Sequence, residues 1–162
     1  MDSEGDLRDT YAAAIQHGLV DVADADRVLG VVRRPTRWFS AVVDENEPAV
    51  APPTDLLDEF AERREDLKMR GMCDEGAHNA AWEEIGFKRR YLDYLDGSPE
   101  ATAAARRIRS LVDDGEAVVL VCYENTSKKR CHRTHLREWL ADDGSAADGS
   151  TADGSAIDET DA

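Results

Sequence analysis

Between Cys122 and Arg137 the chain gathers thiols, a carboxylate, two imidazoles and a run of cations: Cys122, Glu124, Lys128, Lys129, Arg130, Cys131, His132, Arg133, His135 and Arg137. These side-chain types suit nucleophilic catalysis. A cysteine near a helix start and among cations gives up its proton more readily, and the thiolate is the nucleophile. Cys131 fits that description, with His132 or Glu124 close by to carry the proton. Helical spacing tempers the assignment. If Leu136, Trp139 and Leu140 form the buried stripe of the last helix, His132 points inward and Arg133 flanks it. Cys131 then faces away, unless it lies just before the helix proper. His132 and Arg133 therefore rank above Cys131 as site residues, and a small first-turn residue is the plain alternative for Cys131. Cys122 reads as packing on a core strand.

Two stretches of this acidic chain hold no acid. Arg27 to Val43 contains Arg27, Arg33, Arg34 and Arg37, and Asn125 to Arg137 contains Lys128, Lys129, Arg130, Arg133 and Arg137. Each follows or overlaps an apolar run with strand character. If the two strands are neighbours in a parallel sheet, both loops emerge at one edge, where open α/β sheets place ligands. The N-terminus of the last helix adds free N–H donors and partial positive charge. The expectation is an anion pocket, for a phosphate or carboxylate, held by Arg33, Arg34, Lys128, Arg130 and Arg133. The alternative is that these cations pair with the chain's many acids. In molar salt the Debye length falls to about 3 Å, so a binding cluster must act by direct hydrogen bonds. Planar, bidentate Arg suits that better than Lys.

Zinc is a further candidate for the same residues: Cys122, Cys131, His132 and His135, with Cys73 or His78 joining. Cys131 and His135 have a usable helical chelate spacing. Paired Cys-x-x-Cys spacing is absent, however, and the neighbouring cations oppose a dication, so no metal is assigned. A cysteine-phosphatase or rhodanese loop fails on two counts. It needs Arg where this chain has Lys128, and the wrapping glycines are missing. Trp38-Phe39 after Arg33-Arg34-Pro35 stacks on a base or sugar if exposed, and is core if buried.

The elements that must position these groups are readable in outline. Arg27 to Val32 and Ala117 to Tyr123 are short, rich in β-branched residues and free of polar alternation, as strands of a parallel sheet covered on both faces. Phe39 to Val43 is a short extra strand or a loop edge. Pro48, Pro52 and Pro53 mark an irregular connection. Thr54 reads as an N-cap, with Leu56, Leu57, Phe60 and Leu67 as a helical stripe up to Gly71. Further helices are expected over Glu75–Ile85, after Gly86 with Phe87 and Tyr91, from Ser98-Pro99 to Gly115, and from about Lys129 to Ala141. Residues 9 to 16 are ambiguous, since Ala12 to Ala14 favour helix but precede a strand.

The chain has 162 residues, enough for one domain with its own core, and a formal charge of −15 from 35 acids against 20 cations. An Asp-rich, Lys-poor surface resembles that of salt-adapted archaeal proteins. Such acidity argues against non-specific nucleic-acid or membrane affinity, though not against a local basic site. Three cysteines without an apolar leader argue against a secreted disulfide scaffold, and no apolar run reaches the roughly 18 residues of a membrane span. A cytoplasmic location is expected. From Asp142 on, repeated Asp-Gly-Ser-Ala/Thr-Ala units offer almost nothing to bury and read as a disordered acidic tail, with the folded domain at 1–141.

The pair Cys122-Tyr123-Glu124 and Cys131-His132-Arg133, with Arg33-Arg34-Pro35, Trp38-Phe39 and Ala51-Pro52-Pro53, resembles the domain-of-unknown-function family 488, which includes YeaO-like proteins. The likeness spans roughly residues 10 to 140. It implies a small α/β fold with a parallel-type sheet and a first strand over residues 10 to 16; it implies no reaction. Together these readings predict a single α/β domain, a small mainly parallel sheet flanked by helices. Its pocket would bind or process a phosphorylated small molecule, a nucleotide or a nucleic-acid end, with a non-catalytic binding module and a zinc-stabilised domain as the alternatives.

Overall fold

The computed structural model describes residues 5–124 and 128–149, with side chains up to residue 141. Four strands, β1 (Asp6–Tyr11), β2 (Arg27–Gly30), β3 (Glu45–Asn46) and β4 (Ala117–Cys122), form one sheet in the order β1-β4-β2-β3. Every pairing is parallel. The strand latest in sequence thus lies inside, and it is the most apolar. Val118 to Cys122 are all buried, so both faces of β4 are covered and alternation has no meaning there.

Among the described residues seven helices surround the sheet: α1 (Ala12–Gln16), α2 (Arg37–Val42), α3 (Thr54–Met69), α4 (Asp74–Glu84), α5 (Phe87–Gly97), α6 (Pro99–Asp113) and α7 (His132–Gly149). A 3-10 turn occupies Pro48–Val50. Helices α6 and α7 pack on β4, and α7 also packs on β1. Phe60, Trp82, Phe87, Tyr91, Leu120 and Leu136 belong to one continuous core. Trp82 and Phe87 stack with ring centroids 3.7 Å apart, and the buried Tyr91 hydroxyl donates to the carbonyl of Val50, holding α5 to the 3-10 turn.

Several helix limits follow the expected punctuation. Ser98 Oγ accepts from Ala101 N at the start of α6, with Pro99 at the first helical position, and Gly115 takes φ 97° after its end. Others differ. Thr54 is not an N-cap but the first helical residue, preceded by Pro53, and no side chain caps α3. The segment read as a strand or loop edge is helix α2, because Thr36 Oγ1 accepts from Phe39 N and caps it. The first strand lies earlier than the 10–16 implied by resemblance, and Ala12 to Ala14 follow their propensity into α1. The last helix starts at His132 rather than Lys129 and continues to Gly149, past the boundary set at 142. Residues 150–162 of the expected acidic tail lie outside the described residues.

Gly30 carries a packing requirement of its own. A Cβ there would stand 2.6 Å from Phe39 Cε1 and 2.7 Å from Asn46 Oδ1, so α2 and β3 press directly on the β2 backbone. Beyond Gly30, the Asn46 amide clamps Val32 through both its N–H and its carbonyl. Val31 N donates to Val121 O at 2.9 Å, prolonging the sheet into the loops that carry the site. No helix among the described residues is long and apolar enough to cross a membrane.

Candidate functional site

The carboxyl ends of β2 and β4 open into a pocket of about 260 Å³, closed on the far side by α3 and α4. Its apolar wall includes Leu57, Phe60, Trp82 and Phe87, and Arg33, Arg34, Arg64 and Arg130 line it as well. Cys122, Glu124, Cys131 and His132 lie along the same pocket, so residues distant in sequence do converge.

At the pocket's base is a buried arginine. Arg133 is 3 % exposed; its Nε donates to Asp9 Oδ2 at 2.7 Å, and its Nη1 donates to Thr10 O at 2.7 Å and Glu124 O at 3.1 Å. The same Nη1 stands 3.2 Å from the sulfur of Cys122. Burial alone would push the Cys122 thiol up, but the hydrogen bond from Cys131 and the charge of Arg133 outweigh it and hold it below the ordinary thiol range. The adjacent Cys131 moves the other way, raised by burial and by its ionisable neighbour. Cys122 joins the core cluster, as its strand position implies, and of the two thiols it is the one whose ionisation the Arg133 charge favours.

Cys131 lies just before α7, which resolves the phase question: it is buried, on the site side. His132 is buried too, its Nε2 donating to Val31 O at 2.5 Å, with Nδ1 turned to Cys131 Sγ at 3.7 Å. Burial lowers its pKa to about 4, so it is neutral and fixed in one tautomer by the Val31 carbonyl. Glu124 is the half-buried acid of the group, with Lys129 Nζ 3.9 Å away.

The cations differ in their freedom to meet an anion. Arg33 is occupied by the carbonyls of Ala51 and Pro52 and the hydroxyl of Tyr94. Arg34 pairs with Asp58 at 3.0 Å and Arg130 with Glu83 at 2.7 Å, both exposed pairs at the rim. Lys128 is not among the lining residues; its carbonyl accepts from Asn79. Tyr123 takes a part not foreseen: its hydroxyl accepts from Thr36 N at 2.9 Å and fixes the Arg34-Pro35-Thr36 turn at the mouth. The aromatic question divides, with Phe39 buried and Trp38 half-exposed and stacked on Tyr123.

This constellation is the one on which the resemblance rests. The chain belongs to the DUF488-N3 family. It matches the active DUF488-N3 subclade over residues 15–144, a span that leaves out β1 and therefore Asp9. No curated protein and no solved structure matches the chain. The family description names neither substrate nor reaction, so for this DUF488-N3 chain the chemistry rests on the geometry.

Sequence reading missed Arg64, Trp82 and Asp9 as site residues and named His78 only as an optional zinc ligand. Arg64 follows Phe60 by one helical repeat, its guanidinium carbon 5.5 Å from that ring's centroid, and this spacing was the available signal. His78, whose Nε2 bonds to Arg130 O at 2.8 Å, shows nothing in sequence beyond its type. Asp9 becomes a site residue only through pairing across the sheet. The zinc set is not assembled: among the described residues no group of three or more His, Cys, Asp or Glu side chains is placed to hold a metal ion.

Proposed function

We propose that this chain is a thiol enzyme acting on a phosphorylated small molecule, a nucleotide or a nucleic-acid end, with Cys122 rather than Cys131 as the nucleophile. The observation that carries this is the Cys122 sulfur, set at the pocket 3.2 Å from a buried guanidinium. Attack would form a bond from sulfur to the ligand's electrophilic centre. The leaving group would take its proton from Cys131, and water would then break the sulfur bond and restore both thiols. Glu124, which lines the same pocket, would orient that water.

An anionic group fits the rim. It would have to replace Asp58 at Arg34 and Glu83 at Arg130, but exposed ion pairs contribute only about 0–1 kcal/mol each. Arg64, whose nearest carboxylate is Glu65 at 3.6 Å, is the third contact. Phe60 and Trp82 offer an apolar wall for the rest of the ligand. The pairing of Arg34 and Arg130 favours one alternative, a non-catalytic binding module in which Glu124 is merely a surface acid.

The test is thermal shift in molar KCl with nucleotides, phosphorylated metabolites and short oligonucleotides, followed by turnover of any ligand found. Stabilisation of wild type that Arg64→Ala weakens locates the anion. Cys122→Ser should retain binding and lose turnover; turnover kept by that variant overturns the nucleophile, and silence across the panel overturns the anion pocket.

A further inference from the structure

The base of the pocket holds two cysteines of opposite character. Cys122 ends β4 against Arg133, while Cys131 lies in the turn ahead of α7 with its Sγ 3.7 Å from His132 Nδ1. The two thiols lie close enough to shift each other's ionisation, Cys122 downward and Cys131 upward. Both are buried from bulk water, at 1 % and 4 % exposure, yet both line the pocket. A small oxidant can reach them through the pocket. The third cysteine, Cys73, is exposed, its sulfur accepting from Gly76 N at the start of α4.

We propose that Cys122 and Cys131 are a peroxide-reactive pair, closing to an intramolecular disulfide with hydrogen peroxide or another small hydroperoxide as oxidant. Cys122 attacks as the thiolate, its sulfur taking one peroxide oxygen while the O–O bond breaks and the other oxygen leaves as water or an alcohol, taking up from solvent the proton that Cys122 released on ionising. The sulfenic acid formed carries the two electrons' worth of oxidation. Cys131 sulfur then attacks it, the S–O bond breaks, and the Cys131 proton departs with the oxygen as a second water. Two thiols are oxidised and one hydroperoxide is reduced.

The geometry favours this order. A thiolate is the attacking form, and the guanidinium at 3.2 Å favours it at Cys122. Cys131 remains protonated beside it until the sulfenic acid forms. It also lies outside regular structure, so its Cα can adjust toward the strand end, as a disulfide's Cα separation of about 4.4–6.8 Å requires. The pair needs no bound ligand, and its test therefore stands apart from the function proposed above.

Wild-type protein treated with equimolar hydrogen peroxide, alkylated and digested without reductant should yield a linked Cys122–Cys131 peptide. Cys73 should be recovered alkylated, having oxidised about tenfold more slowly. Cys131→Ser, given dimedone, should trap sulfenic acid on Cys122, and Cys122→Ser should leave Cys131 reduced. Oxidation at Cys73 ahead of Cys122, or disulfides only between chains, overturns the proposal. The wild-type peptide map decides the matter even if a variant fails to fold.

Discussion

Replacing Arg133 with methionine keeps the apolar stem and removes the guanidinium's donors from the base of the site. Asp9 then loses a contact of 2.7 Å, and the carbonyls of Thr10 and Glu124 lose theirs. Removing one partner of a buried ion pair costs about 3–5 kcal/mol, because the charge left behind stays poorly solvated. Here Asp9 keeps 20 % side-chain exposure, and Arg137 Nε stands 3.5 Å from its other oxygen. The lower end applies, about 3 kcal/mol. In a domain of this length each kcal/mol moves the melting temperature by about 2–4 °C, so the expected drop is roughly 6–12 °C. Thermal unfolding followed by tryptophan fluorescence in molar KCl measures it. The same variant removes the charge beside Cys122, so alkylation of that thiol near neutral pH should slow while Cys73 is unaffected. A loss below about 1 kcal/mol, the worth of an exposed pair, would falsify the ion-pair reasoning, and unchanged Cys122 alkylation would remove the guanidinium from the thiol's chemistry.

Two other perturbations follow from the core and from titration. His132 has its pKa lowered by burial to about 4, against about 6.5 in the unfolded chain. Between those values the unfolded chain binds a proton that the native state refuses. Stability from this group is therefore complete above about pH 6.5 and falls as pH drops toward about 4, by roughly 3 kcal/mol in all. His78 and His135, also lowered by burial, act in the same direction. Urea titrations between about pH 7 and pH 5 should show the decline, and His132→Gln should flatten it; an identical slope in the variant refutes the assignment. Gly30→Ala should cost about 1–3 kcal/mol by driving a methyl group against Phe39 and Asn46. An unchanged urea midpoint would mean that α2 and β3 give way freely.

What sequence revealed and what it hid divide along a physical line. The two apolar strands, the α6 cap at Ser98 and the glycine stops were legible because each is set by neighbours a few residues apart. Helix α2 was not, since Phe39, Val42 and Val43 suit a strand by composition and only the Thr36 cap decides otherwise. The crowding of reactive groups after β4 was visible, and so was the inward phase of His132; Arg133, read as flanking it, is buried. The roles of the two cysteines were not. Which sulfur ionises depends on where Arg133 points, and that depends on Asp9 and Thr10 at the opposite end of the chain. The pairing of Arg34 with Asp58 and Arg130 with Glu83 was equally hidden, because composition counts charges without placing them.

The strand order β1-β4-β2-β3 has a consequence for how the molecule is made. Strands β1 and β2 never touch each other; each waits for β4, which emerges from synthesis only after α6 is complete. Until then the nascent chain holds two unsatisfied strand edges, a template for pairing with the wrong partner. The four helices α3 to α6 can collect in the meantime, since their contacts are mostly local. Insertion of one six-residue strand then completes the sheet and brings Cys122 to its place. Assembly of this fold is a late closure on non-local contacts, which sets a slow folding step. A chain released before Ala117 would have most of its helices and no site at all.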